Sequence, residues 1–231
     1  MLTGLSSGTA PDLSAIELAD LVLRNGGTAV DLRVGKGHRW EEQGTPAFRD
    51  AGVDIAFLGT GIVLGDPAYS PASLGTIAGI VPGLPVKVFA RAGCTRPEAL
   101  DLTQRQVSVL AAHLGSSGRV LVETHRGYAP VGELRRLSRL TGIRLLLDTL
   151  GLAQIAGRPS AAAAQLADVV SAAQIKGFDW NSPLETRHCA LASVADRTQE
   201  LLARLPHLAS VTVETRAGSG AEDLRLINNW W

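Results

Sequence analysis

Eight short apolar runs alternate with eight helix-like stretches from one end of the 231-residue chain to the other. This alternation restricts the fold more than any other feature. The apolar runs fall at 2–6, 28–34, 54–59, 86–91, 119–125, 144–150, 170–176 and 210–216. Helical character lies at 11–24, 46–51, 70–78, 97–114, 131–140, 160–167, 191–205 and 221–231. In the first of these, Ile16, Leu18, Leu21 and Leu23 supply an apolar stripe. In the second, Thr45 stands as an N-cap before a proline at the first helical position. The strand candidates are apolar and β-branched, as strands covered by helices require. Strict alternation argues a parallel sheet with helical crossovers. Sharing 231 residues among eight units gives about 29 each, close to the least that one strand–helix step needs. The expected fold is therefore α/β: a single-domain (β/α)8 TIM barrel with short loops, spanning residues 1–231. An open doubly wound sheet would carry GxGxxG straight after the first strand, and Ser6-Ser7-Gly8-Thr9-Ala10 stands there instead.

Composition removes several functions. Lys+Arg and Asp+Glu both number 22, and a chain without net charge lacks the basic excess of a nucleic-acid binder. The start of the chain has neither the basic head nor the long apolar run of a signal peptide, and no stretch reaches membrane-spanning length. A cytoplasmic protein with no membrane or nucleic-acid partner is expected. Cys94 and Cys189 are far apart and form no CxxC pair, which argues against a disulfide scaffold or a structural zinc module.

In a barrel of this kind the active site lies where the strands end. Several runs here end in charge: Asp31 and Arg33 on the second, Arg91 on the fourth and Glu123 and His125 on the fifth. Asp148 ends the sixth, Gln174 and Lys176 the seventh, and Glu214 and Arg216 the eighth. Side chains two apart share a face. Glu123 and His125 therefore point the same way, as do Gln174 and Lys176, Glu214 and Arg216, and Asp31 and Arg33. Glu123, Asp148 and Glu214 would converge at one mouth. Such carboxylates call for a counter-charge, and a divalent cation is the usual one. Oxygen ligands with one amide suit Mn²⁺ or Mg²⁺, with Co²⁺ or Zn²⁺ as alternatives. Arg33, Arg91 and Arg216 could equally neutralise them without a metal.

The motifs ELADLVLRNGGTAVDLRV, VLVETH, LLLDT, AQIKG and VTVETR, taken in order, resemble the xylose isomerase-like TIM-barrel superfamily in its sugar-phosphate isomerase/epimerase and hydroxypyruvate isomerase-like branch. The resemblance covers most of the chain. It implies a metal held by Glu123, Asp148, Gln174 and Glu214, with Gln174 standing where many members have His. Gly177 replaces an Asp of the QxxD pattern, and Gly151 replaces a His three residues after the sixth-strand Asp. The loop Arg187-His188-Cys189-Ala190-Leu191 keeps the family's Arg and lacks its glycines.

The chemistry implied is isomerisation or epimerisation of a small hydroxy-carbonyl or sugar-like substrate through an enediolate. Glu123 and Glu214 would exchange the proton and His125 would shuttle it. Lys176, Arg33, Arg91 and Arg216 would hold substrate oxygens, with His38, Arg187 and His188 as loop contacts. Trp40 and Trp180 would wall the mouth or pack on each other as ordinary loop core. Gly218-Ser219-Gly220 is the best candidate for a phosphate loop, with a plain turn as the alternative. Dehydration by the same barrel, or a ligand-binding homologue that has lost the metal, are the competing readings. Short loops predict a homo-oligomer, a dimer, with the terminal Trp230-Trp231 pair buried at an interface or capping the barrel.

Overall fold

A computed structural model describes residues 1–74 and 81–231. Its eight parallel strands run in sequence order: β1 (Leu2–Ser6), β2 (Ala29–Arg33), β3 (Asp54–Leu64), β4 (Val86–Ala90), β5 (Val120–Glu123), β6 (Arg144–Asp148), β7 (Val170–Ile175) and β8 (Ser210–Val213). β1 pairs with both β2 and β8, so the sheet closes on itself. The alternation therefore reads correctly as a TIM barrel.

Two cores follow from the period of two along each strand. Outward residues such as Leu32, Leu58, Val88, Val122, Leu147 and Val213 pack with the helical layer, where Leu18, Val22, Leu110, Leu134 and Leu137 are buried. Inside the barrel, Ala29, Phe57, Leu121, Leu146 and Ala172 form a separate apolar cluster with Leu2 packed against it. Two residues further along those same strands stand Asp31, Gly59, Glu123, Asp148 and Gln174. An apolar floor thus carries a polar storey directly above it.

The helix ends differ from the apolar pattern by up to a few residues. α1 (Ala15–Arg24) begins after Ser14, whose hydroxyl accepts from the Glu17 N–H while the Glu17 carboxylate accepts from the Ser14 N–H. α2 (Pro46–Asp50) has Pro46 in its first turn, but Thr45 makes no side-chain capping bond. The stretch at 70–78 shows α3 (Pro71–Leu74), and its remainder lies outside the described residues. α4 (Pro97–Leu114) and α5 (Val131–Thr141) match their patterns closely.

β6 stops at Asp148 because that carboxylate caps a helix absent from the sequence reading, α6 (Thr149–Ile155). α7 (Pro159–Leu166) follows it. The stretch at 191–205 divides into a 3₁₀ turn (Leu191–Val194) and α8 (Ala195–Leu202), and α9 (Gly220–Asn228) ends before the tryptophan pair. Trp230 packs partly on the core, whereas Trp231 stays 58% exposed. Among the described residues, no helix is long and apolar enough to cross a membrane.

Candidate active site

The polar storey opens into a cavity of about 150 Å³ at the C-terminal ends of the strands. An apolar cavity of that volume accepts a ring of about six heavy atoms. Asp31, Arg33, Lys87, Glu123, His125 and Gln174 line it from β2, β4, β5 and β7. Lys176, His188, Glu214 and Arg216 complete the polar wall, with Phe57 and Phe89 as the apolar one. Nine residues expected at the mouth from alternation or loop position thus meet in one place: Arg33, Glu123, His125, Gln174, Lys176, His188, Glu214, Arg216 and, on the same face, Asp31. Asp148 lies just beneath, 1% exposed, and meets the cavity through Lys176.

Other expected contacts lie elsewhere. Arg91 is exposed and outside the cavity lining, and Arg187 is exposed and lines a neighbouring groove with Glu185 and Cys189. The His38 ring meets the Ser7 hydroxyl at 3.1 Å, outside the lining. Burial and then the nearby Arg33 lower its pKa. Trp40 and Trp180 do not wall the mouth. They pack as loop core against Phe48 and Phe178, at ring distances of 6.1 and 4.5 Å.

Ion pairs organise the carboxylates. The Lys87 ammonium is 2.7 Å from Glu123 Oε2. The Lys176 ammonium bridges Asp148 Oδ2 at 2.5 Å and Glu214 Oε2 at 2.7 Å, and the Arg33 guanidinium takes Glu214 Oε1 at 3.1 Å. Burial alone would raise the Glu214 pKa, but Lys176, then Arg33 and Lys87, hold it down at about 2. Burial alone would lower the Lys176 pKa, but Asp148, Glu214 and Glu123 push it up, so the ammonium stays charged. Lys87 is absent from the sequence-based site, although a lysine inside the apolar run Val86-Lys87-Val88 was a visible signal.

Asp31 is the second residue without an assigned role beforehand. Its Oδ2 accepts from the Gln174 amide at 3.2 Å, and the Thr212 and Ser6 hydroxyls lie close by. Burial first, and then the Glu214 charge, raise its pKa to about 6 against the opposing Thr212 and Ser6 hydroxyls and Gln174 amide.

Two histidines present defined faces to the cavity. His188 Nδ1 accepts from the Arg216 N–H at 3.0 Å, which leaves Nε2 to carry the hydrogen. Burial and then Lys176 lower its pKa and favour that neutral ring. His125 Nδ1 lies 2.7 Å from the Arg126 carbonyl, an obligate acceptor, so Nε2 of the neutral ring is free to accept. Its edge rests on Phe89, which stacks on Tyr128 at 4.4 Å.

The expected metal ligands are thus gathered, but they do not fit a divalent cation as they stand. Both oxygens of Asp148 are engaged, one by Lys176 and one by the Gly151 N–H at 2.6 Å. Both oxygens of Glu214 are engaged by Lys176 and Arg33. Gln174 turns its NH₂ towards Asp31. Among the described residues, no group of three or more His, Cys, Asp and Glu side chains is arranged to hold an ion. This arrangement has a simple cause: Lys176 sits two residues beyond Gln174 on the same strand face, and its ammonium reaches the point between Asp148 and Glu214. The two glycine departures also have local reasons. A Cβ on Gly151 would lie 2.0 Å from the Thr124 carbonyl oxygen, and one on Gly177 would lie 2.2 Å from that of Cys189.

Comparison of the whole chain with known structures finds TIM barrels of the xylose isomerase-like kind that the motifs resemble. A xylose isomerase domain containing protein from Salmonella typhimurium superposes with a TM-score of 0.71 at 16% identity, over 98% of this chain and 94% of that one. The probable 3-DHS dehydratase AsbF of Bacillus anthracis gives 0.66 at 15%, over 99% of both chains. The 3-keto-D-glucoside 4-epimerase of E. coli gives 0.61 at 14%, over 100% and 98%. Other barrels of this fold include further sugar epimerases and a protein with a bound zinc atom. At these identities the likeness is one of fold. No family model and no curated protein matches the sequence.

Proposed function

We propose that the chain is an enzyme that moves a proton next to a carbonyl on a small hydroxy-carbonyl substrate of the sugar type, as an isomerase or epimerase. The observation that carries this reading is the pairing of each mouth carboxylate with a fixed cation beside one small cavity: Lys87 with Glu123, and Lys176 and Arg33 with Glu214. A carbonyl oxygen laid against the ammonium groups gains stabilisation as it becomes an enediolate oxygen, because the donors are already oriented and largely shielded from water. The sugars named with fold neighbours, D-tagatose and D-allulose, are of this class.

The proton roles follow from the electrostatics. Glu214, held at about 2, is a poor proton acceptor, and its work is to fix Lys176 and Arg33. Glu123 takes the proton from one carbon and returns it to the next, the single-base pattern of an isomerase. His125, with Nε2 free at the same rim, passes protons to solvent. His188 and Arg216 donate to substrate hydroxyls. An epimerase would need a second group on the opposite face, and Glu214 stands three strands away from Glu123 around the barrel.

The test is a panel of three- to six-carbon aldoses, ketoses and hydroxy-ketones in D₂O, followed by NMR for conversion and for deuterium beside the carbonyl. Conversion that falls at least about a hundredfold in Glu123→Gln, the scale of a lost general base, supports the reading. Glu214→Gln is also expected to abolish activity through loss of the lysine's anchor. Full activity in both variants, or no turnover of any panel member, overturns it. A product that has lost water instead assigns dehydration.

A further inference from the structure

We infer that Lys176 is the resident cation of this site: its ammonium occupies the position between Asp148 and Glu214 that a divalent ion would need, so the barrel works without a bound metal. The inference concerns the same cavity as the proposed proton transfer, but its test reads metal rather than turnover, so either can fail alone.

Three observations lead to it. First, the placement is bidentate. One nitrogen lies 2.5 Å from an oxygen of β6 and 2.7 Å from an oxygen beyond β8, with its side chain only 12% exposed. Lysine is among the side chains least often buried, and it is buried where it is paired. Second, no oxygen of those two carboxylates is left over. The Gly151 N–H takes the other Asp148 oxygen, and Arg33 takes the other Glu214 oxygen. A metal would have to displace the ammonium and compete with a guanidinium and a helix N–H for the same carboxylates. Third, the charges already balance. Asp31, Glu123, Asp148 and Glu214 face Arg33, Lys87, Lys176 and Arg216, four against four. A divalent ion entering beside Lys176 would meet a like charge at contact distance, and the carboxylates that should attract it are neutralised. The arrangement also accounts for Gln174: its amide NH₂ faces Asp31 rather than presenting a ligand atom to the centre.

The consequence is specific. Removing the ammonium while keeping the length of the side chain leaves Asp148 and Glu214 facing each other with no cation between them, and Glu123 close by. That is the environment a divalent cation seeks.

The experiment compares wild type, Lys176→Met, Lys176→Arg and the Lys176→Met/Asp148→Asn double variant after removal of metal with EDTA. Bound Mn²⁺ is counted by electron paramagnetic resonance, and melting is followed with Mn²⁺, Co²⁺ and Zn²⁺ added singly. Wild type and Lys176→Arg are expected to bind no stoichiometric Mn²⁺ and to melt unchanged. Lys176→Met is expected to take up about one Mn²⁺ per chain, at least tenfold more tightly than wild type, and the double variant to lose it. Stoichiometric metal in wild type, reduced in Asp148→Asn, overturns the inference even if the methionine variant does not fold. A folded Lys176→Met that binds Mn²⁺ no better than wild type also overturns it.

Discussion

Replacing Asp31 by Asn should stabilise the protein at neutral pH and leave it nearly unchanged in acid. The wild-type carboxyl is fully buried above the apolar floor, beside the Glu214 charge, and its pKa rises from 3.8 to about 6. The folded form therefore binds more protons than the unfolded chain between those two values. Stability from this group is undiminished below about pH 4, falls as pH rises through that window, and is reduced in full above about pH 6. A carboxyl shifted by that much opposes folding at pH 7.5 by roughly 3 kcal/mol.

Asn keeps the shape and carries no charge. Its carbonyl can accept the Gln174 N–H that Oδ2 now accepts, and its NH₂ occupies the place of Oδ1. The Thr212 hydroxyl beside it can rotate from donor to acceptor, so the new donor has an acceptor. For a domain of this size, roughly 3 kcal/mol corresponds to a rise in Tm of about 6–12 °C. Urea unfolding of both proteins at pH 4 and pH 7.5 measures it. The difference between them should grow with pH, since every other titration is shared. An Asp31→Asn protein that is less stable at pH 7.5, or a difference that does not change with pH, refutes the reasoning.

The remaining predictions concern neighbouring contacts. Lys87→Met should destabilise by about 3 kcal/mol by leaving Glu123 buried without its cation, and adding Glu123→Gln should restore most of that. Additive losses in the urea-unfolding cycle would mean that the pair is not coupled. Gly151→Ala should lower stability by several kcal/mol, because its Cβ would fall 2.0 Å from the Thr124 carbonyl oxygen and disturb the cap on Asp148. Gly157→Ala, with nothing within 4 Å of the added carbon, should be within about 0.5 kcal/mol of wild type in the same assay.

The barrel and the inner face of its strands were legible in the sequence for one physical reason. A strand buried on both sides shows a run of apolar residues, and a charge that interrupts such a run has to point where water or a counter-charge can reach it. Glu123, Asp148, Gln174, Lys176 and Glu214 all break apolar runs, and all stand on the polar storey. By the same rule Asp31 and Lys87 were equally visible, since Val30-Asp31-Leu32 and Val86-Lys87-Val88 break their runs no less sharply. They lacked a role because an acidic strand end suggests a metal ligand, whereas a lysine in the middle of a strand suggests nothing until its partner is known. Partnership is a property of strand order. Lys87 meets Glu123 only because β4 and β5 are neighbours, and Lys176 meets Glu214 only because β7 and β8 are.

The same limit explains the loop residues. Arg91 and Arg187 follow strands in sequence, as Arg216 does, yet only Arg216 lines the cavity. Loop direction is set by turns that carry no periodic pattern. A period of two fixes which face a strand residue takes, and the barrel's order fixes which charges then meet. The choice between a metal and a lysine at the centre rests on one further fact, that position 176 is two steps beyond position 174. On that count the residue that decides the chemistry of this mouth is the one beyond the supposed ligand, and not the ligand itself.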